Sequence, residues 1–223
     1  MPTYTPPLRD MQFVMHEVLK VCDDFKAIPR HADVDADTID AVLEQAGKFA
    51  SEVALPLNIS GDQQGCTIDP KTHAVTAPKG FKEAYAQFVA NGWPALSCDP
   101  EYGGQGLPLV VNQCLYEMLN SANQAWTMYP GLTHGAYAAL HSYGTDDQKQ
   151  TYLHKMTSGE WTGTMCLTEP HCGTDLGLMR TKAEPQADGT YRITGNKIFI
   201  SAGEHDLTDN IVHLVLARIT DAP

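Results

Sequence analysis

The sequence predicts an α+β chain: an N-terminal all-α helical bundle followed by an antiparallel β-domain that is incomplete at the last residue. Three observations carry this expectation. Apolar residues recur at three- and four-residue steps through the first two thirds of the chain. After Gly159 the segments become short and rich in β-branched and aromatic residues, and turn-forming stretches separate them. Helices followed by strands imply an α+β fold or a helical domain joined to a β-domain. The expected boundary lies near Gly159, with residues 1–159 as the helical domain and 160–223 as the start of the β-domain.

The elements follow in order. In "LRDMQFVMHEVLKVC", Leu8, Met11, Met15, Val18, Leu19 and Cys22 form one apolar stripe on a helix. "DADTIDAVLEQAGKFASEVALP" repeats the pattern through Ile39, Val42, Ala46, Phe49 and Val53, with Asp35 or Asp37 as cap and Pro56 as terminator. A third helix carries Phe81, Ala84, Tyr85 and Phe88 on one face and stops at Asn91-Gly92. The Gly-rich "DPEYGGQGLP" precedes a fourth helix, "LPLVVNQCLYEMLNSAN", with Pro108 suited to its first turn; a fifth, "LTHGAYAALHSYG", closes on Gly144. Thr145 and Gln148 have capping-box spacing and open a sixth helix that ends near Gly159. The strands are "WTGTMCLTE", "GTYRITGNKIFIS" and "NIVHLVLARI". Three strands are too few for a finished sheet, so the 223 residues are expected to be part of a longer protein.

Composition narrows the classes of partner. A net charge of -12 repels nucleic-acid backbones and anionic lipid surfaces. The six cysteines (Cys22, Cys66, Cys98, Cys114, Cys166 and Cys172) include no CxxC pair, the start lacks an apolar signal core, and no apolar run is long enough to span a bilayer. A reduced, cytoplasmic protein with no nucleic-acid partner and no membrane insertion is the expectation.

The chemistry concentrates in "GTMCLTEPHCGTD". A strand that ends at Pro and turns through Gly leaves backbone N–H groups without ladder partners, and Thr168 and Thr174 add hydroxyls, so such a loop can hold an anion or a polar ring. An ordinary β-turn is the plainer reading of this stretch alone. The order of "GW", "PEYGGQGLP", a capped helix, "LTEPHCGTD", "DGTYRITGNKIFIS" and "HLVLAR" resembles the acyl-CoA dehydrogenase family over nearly the whole chain. The family pattern Thr-Glu-Pro-Gly-x-Gly-Ser-Asp stands here as Thr168 to Asp175, and Gly-x-Lys-x-Trp-Ile-Thr as Gly195 to Ser201.

The resemblance implies an acyl-CoA dehydrogenase-like fold and FAD as cofactor. Met165, Cys166, Leu167 and Thr168 match the strand along the flavin ring, with Thr168 at its pyrimidine side. Gly173 and Thr174 match the pair that approaches the pyrophosphate, and Phe199, Ile200 and Ser201 match the Trp-Ile-Thr that packs on the flavin. His171 and Cys172 replace small residues, Phe199 replaces Trp and Ser201 replaces Thr. The implied reaction of the full-length protein is oxidation of an acyl-CoA thioester to a trans-2-enoyl-CoA, with an electron-transfer flavoprotein as acceptor and a homo-oligomeric enzyme; the 223 residues alone are expected to be inactive and not to hold FAD tightly. The family's glutamate base belongs to a C-terminal helical half that does not match any part of this sequence, so no catalytic residue is assigned; Glu169 matches the motif glutamate. Within the family, "HCGTDLGLMRTKAEP" and "IFISAGEHDLTDNIVHLVLAR" look most like the enlarged bacterial type that includes 3-methylmercaptopropionyl-CoA dehydrogenases.

Other conspicuous residues read as structural. His134 and His141 lie seven apart on one expected helix and fit partly buried packing. Met118, Met128, Met156 and Met165 fit packing as well. No cluster has metal-ligand spacing, and Glu169 and Asp175 beside Cys172 oppose a reactive thiolate. Two rivals differ in class: an acyl-CoA oxidase of the same fold, which passes electrons to oxygen, and a non-catalytic helical interaction module, which binds no flavin.

Overall fold

A computed structural model of the chain describes residues 3–220. Residues 221–223, the close of the expected β-domain, lie outside the described residues. Helix α1 spans Leu8–Gln12 and continues as a π-helix over Phe13–Val18; Lys20, at a φ of 52°, separates it from α2, Val21–Lys26. The expected single stripe therefore divides. Met11 and Met15 are buried, whereas Val18 and Leu19 are exposed, because the wider π-turn rotates later residues off the core face.

Asp35 caps α3, Ala36–Phe49, by accepting from the Thr38 amide at 2.8 Å. Pro56 does not end that helix. A π-helical stretch, Ala50–Ala54, leads into α4, Pro56–Gln64, where the proline sits at a first position that needs no N–H donor. A short hairpin absent from the sequence expectation follows, β1 (Thr67–Ile68) against β2 (Val75–Thr76). Helix α5 is Phe81–Ala90.

The expected fourth and fifth helices are one element, α6, Leu109–Tyr143. Its halves meet at Asn123, whose φ of -158° and ψ of 85° are not helical. The Asn123 side chain accepts from the Trp126 amide at 3.0 Å and donates to the Ala54 carbonyl at 3.0 Å, so it caps the second half from within the core. Helix α7, Asp146–Thr157, opens on the expected capping box of Thr145 and Gln148. No helix among the described residues is long and apolar enough to cross a membrane.

Strands then take over, as the change of period implies. β3 is Trp161–Cys166, β4 Lys182–Pro185, β5 Tyr191–Thr194, β6 Asn210–Val215 and β7 Arg218–Ile219. Antiparallel pairing, expected throughout, holds for β4–β5 alone in this region; β3–β6 and β4–β7 are parallel. The reason is connectivity: the β4–β5 hairpin is inserted between β3 and β6, so the chain returns to β3 in its original direction.

Two regions share one core. β3 lies on α6 and α7, with the Gly163 amide donating to Thr133 Oγ1 at 3.0 Å. Leu207, from the loop before β6, is buried in the cluster that holds Phe49, Phe88 and Trp126.

Candidate functional site

Alternation along β3 sorts its side chains. Trp161, Gly163 and Met165 face the helices, while Thr162, Thr164 and Cys166 turn to the other side. Met165 lies beyond the cover of α6 and is 45% exposed. The chain then leaves the strand at Leu167 and Thr168 and reverses at Pro170-His171. Two backbone bonds close this reversal, Glu169 N–H to Cys172 O at 2.8 Å and Cys172 N–H to Glu169 O at 3.1 Å. Gly173 is thereby brought back against Thr168: a Cβ on Gly173 would lie 3.2 Å from Thr168 Cγ2. Gly173 and Thr174 are exposed, and their N–H groups donate to no other group among the described residues. The loop thus presents consecutive free donors beside a strand end, which suits an anionic group.

The candidate residues from the second segment converge on the same place. Ile198 N–H donates to Thr168 O at 2.9 Å, and Lys197 Nζ donates to Leu167 O at 2.9 Å. Phe199, Ile200 and Ser201 are not a strand, contrary to expectation. β5 ends at Thr194, Phe199 has a φ of 56° and is 88% exposed, and Ser201 sits in a turn. The Ile198 amide is committed to Thr168 O, just beyond β3, and so cannot extend the β5 ladder. Cys166 also departs from the rest. Its buried thiol points away from Met165, 3.8 Å from His213 Nδ1, so only its main chain borders the opening.

The residue that organises the loop is Glu169. Its buried carboxylate accepts from Arg180 N–H at 2.8 Å, Thr181 N–H at 3.0 Å and Lys197 Nζ at 2.9 Å, and His171 Nε2 lies 3.4 Å away. Burial raises its pKa, but hydrogen bonds from Thr181, Arg180 and Lys197 more than reverse this and hold the carboxyl well below the usual carboxylate range. Glu169, His171 and Cys172 each bring a potential metal-ligand atom within 4.8 Å. The carboxylate is already occupied by an ammonium and two amides, and the His171 Nε2–H donates to Leu178 O at 2.9 Å, so the group acts as a hydrogen-bond hub. Arg218 holds the far side of the loop through Met179 O at 2.9 Å and Gly177 O at 2.7 Å. Sequence reasoning did not assign these roles to Glu169, Lys197 or Arg218; the only local signal is an acidic residue in a segment destined for burial.

The histidines have structural partners. His141 Nε2 lies 3.2 Å from Asp99 Oδ2, and His134 Nε2 lies 3.4 Å from Asn112 Nδ2. His205 accepts from Leu207 N–H on Nδ1 at 3.1 Å, so its proton is on Nε2, which donates to Thr162 Oγ1 at 2.9 Å. Burial pushes His31, His134 and His205 below the ordinary imidazole pKa, in His31 with help from Arg30. As pH falls through about 6.5 the unfolded chain binds protons that the folded chain refuses, so stability is present above that pH and is lost below it. The urea midpoint is expected to be lower at pH 5.5 than at pH 7.5; an equal or higher midpoint at pH 5.5 would contradict this.

Comparison with known proteins adds independent observations. The family model for the acyl-CoA dehydrogenase N-terminal domain matches residues 37–160. 3-Methylmercaptopropionyl-CoA dehydrogenase of Ruegeria pomeroyi is 47% identical over 99% of this chain and 37% of its own length. The broad-specificity linear acyl-CoA dehydrogenase FadE5 of Mycobacterium tuberculosis is 38% identical over 98% of this chain and 35% of its own length. The chain therefore spans about a third of the length of these curated relatives. Among solved structures, glutaryl-CoA dehydrogenase from Mycobacterium smegmatis superposes with a TM-score of 0.68 at 24% identity, over 89% of this chain and 46% of that one. Acyl-CoA dehydrogenase complexed with FAD from Bacillus anthracis gives 0.66 at 23% identity, over 84% of this chain and 30% of that one. At these identities the structural matches speak for the fold.

Proposed function

The chain belongs to the acyl-CoA dehydrogenase family, and on that premise we propose that it forms the flavin-side wall of an enzyme that oxidises an acyl-CoA thioester to a trans-2-enoyl-CoA. Residues 1–159 would form the N-terminal helical domain and 160–223 the start of the middle β-domain. The observation that carries the cofactor assignment is the loop after β3, where the free amides of Gly173 and Thr174 stand beside Thr168 at an open strand end.

Gly173 and Thr174 would hold the FAD pyrophosphate, with the Thr174 hydroxyl as an added donor. Thr168 would bond the pyrimidine side of the ring. Met165 and Leu167 would line its face, and Cys166 would contribute main chain only. Phe199, Ile200 and Ser201, tethered to the strand end through Ile198, would supply an aromatic face and a hydroxyl. When bound, FAD supplies a two-electron acceptor for the hydrogen leaving the substrate's β-carbon. Glu169 does not serve as the base for the α-proton, because a carboxylate engaged by three donors at lowered pKa has little proton affinity. No residue described here is assigned that role.

The name of the Ruegeria relative favours a short thioether acyl group as substrate, and the family resemblance favours a homo-oligomer that reduces an electron-transfer flavoprotein. An oxidase of the same fold is distinguished by rapid reoxidation in air of the substrate-reduced protein. A helical interaction module is distinguished by a colourless protein that ignores acyl-CoA.

Gly173→Val tests the site. Its branched side chain meets Thr168 and covers the amides, so FAD binding by the full-length protein is expected to weaken at least about tenfold, or ~1.4 kcal/mol, with the protein still folded. Unchanged FAD affinity in a folded Gly173→Val protein would reject the assignment.

A further inference from the structure

We propose that Glu169 and Lys197 are positioning residues, an ion-pair clasp that fixes the end of β3 to the 197–199 segment and so sets where Thr168 and Phe199 stand. The use of that placement in cofactor binding rests on the FAD reading above.

Four observations support the clasp. Lys197 Nζ bonds both Leu167 O and Glu169 Oε1 at 2.9 Å, and the two charged side chains are only 11% and 2% exposed. The adjacent Ile198 amide bonds Thr168 O at 2.9 Å, so two successive residues are pinned to the strand end. Glu169 also takes the Arg180 and Thr181 amides, which joins the start of β4 to the same point. Immediately beyond the clasp, Phe199 adopts a φ of 56°. An aromatic residue holds that left-handed conformation only where its surroundings over-determine it. Pinning of residues 197 and 198 on one side, and the turn closed by Gly203 N–H to Ile200 O at 3.2 Å on the other, provide that constraint. The result is a large ring held out of the core at the edge of the opening rather than packed beneath it.

The ion pair is a poor choice for stability alone. Two buried charges cost desolvation that their attraction barely offsets, and removing one partner strands the other. A Glu169→Gln/Lys197→Met double variant avoids that stranded charge. The experiment, on the full-length protein, places 4-fluorophenylalanine at position 199 and compares the parent, this double variant and Asp35→Ala, a cap variant far from the loop, with and without FAD. For each, ¹⁹F spectra, urea midpoint and FAD affinity by fluorescence quenching are measured.

The double variant is expected to shift or broaden the position-199 resonance without FAD, and to weaken FAD binding about tenfold or more. Asp35→Ala is expected to lower the urea midpoint while leaving both the resonance and the affinity at the parent values. An unchanged resonance in the folded double variant overturns the clasp. A shifted resonance with unchanged FAD affinity overturns its role toward the cofactor. If the full-length parent itself takes up no FAD, the cofactor reading fails, and a shifted resonance still supports the clasp.

Discussion

Trp126→Ala is expected to destabilise the chain by about 3–5 kcal/mol, a large share of the roughly 5–15 kcal/mol that holds a domain folded. Trp126 is fully buried and is the largest of the fully buried side chains among the described residues. Its ring lies 5.5 Å from Phe88 and 5.7 Å from Phe49, centroid to centroid, so it joins α3, α5 and α6 at one point. Its Nε1 donates to Phe81 O at 3.2 Å, and alanine would leave that buried carbonyl without its donor as well as opening a cavity. The two remaining rings at such angles do not collapse readily into the space of the third. The checking measurement is a urea titration followed by circular dichroism; a loss below about 1 kcal/mol would show that the site relaxes or that the core is not organised around this ring.

Gly163→Val is expected to separate the β-region from the helices. A Cβ at this position would stand 2.6 Å from Ala136 Cβ and 2.8 Å from Met156 Cε, and the first of these neighbours has no rotamer with which to yield. β3 must lift from α6, which also breaks the Gly163 amide bond to Thr133. Overpacking costs about 1–3 kcal/mol, and an unmade bond at a buried donor costs about 1–3 kcal/mol more. Because β3 leads through Met165 and Cys166 directly into Leu167 and Thr168, the same displacement is expected to weaken FAD binding by the full-length protein even where the helices survive. Gly163→Ala should fall between the parent and Gly163→Val in both readouts. A Gly163→Val protein with parental urea midpoint and parental FAD affinity would refute the packing argument.

Local signals in the sequence transferred well to the structure. Asp35 caps α3 and Thr145 and Gln148 form their box because both ends of each interaction lie within three residues. The reversal from Thr168 to Thr174 was legible for the same reason, since Pro170 and Gly173 dictate a turn wherever the strand ends, but its reading as a site came from the order of motifs along the chain, since the stretch alone reads as an ordinary turn. Non-local pairings were not legible. Lys197 finds Glu169 across 28 residues, and β6 finds β3 in parallel, with nothing in either segment to name its partner. Pro56 misled because a π-turn before it resets the helix, and that turn has no sequence signature. Phe199 misled differently: its segment has strand composition, but the preceding Ile198 amide is committed to Thr168 O and Phe199 itself takes a φ of 56°.

The loop before β6 bears on how the molecule can be divided. Asp206 Oδ1 accepts from the Ala77 amide at 2.9 Å across 129 residues, His205 sets its edge on Tyr129 at 5.2 Å, and Leu207 is buried with the helical aromatics. Secondary structure changes between Thr157 and Trp161, yet cohesion does not. The helical region borrows three consecutive side chains from far downstream, so it is not a modular unit that could be exchanged between relatives by recombination at the helix-to-strand junction. A viable crossover would have to carry the 205–207 loop together with its seat on β2, α5 and α6, and the inheritable block is thus defined by contact rather than by position along the chain.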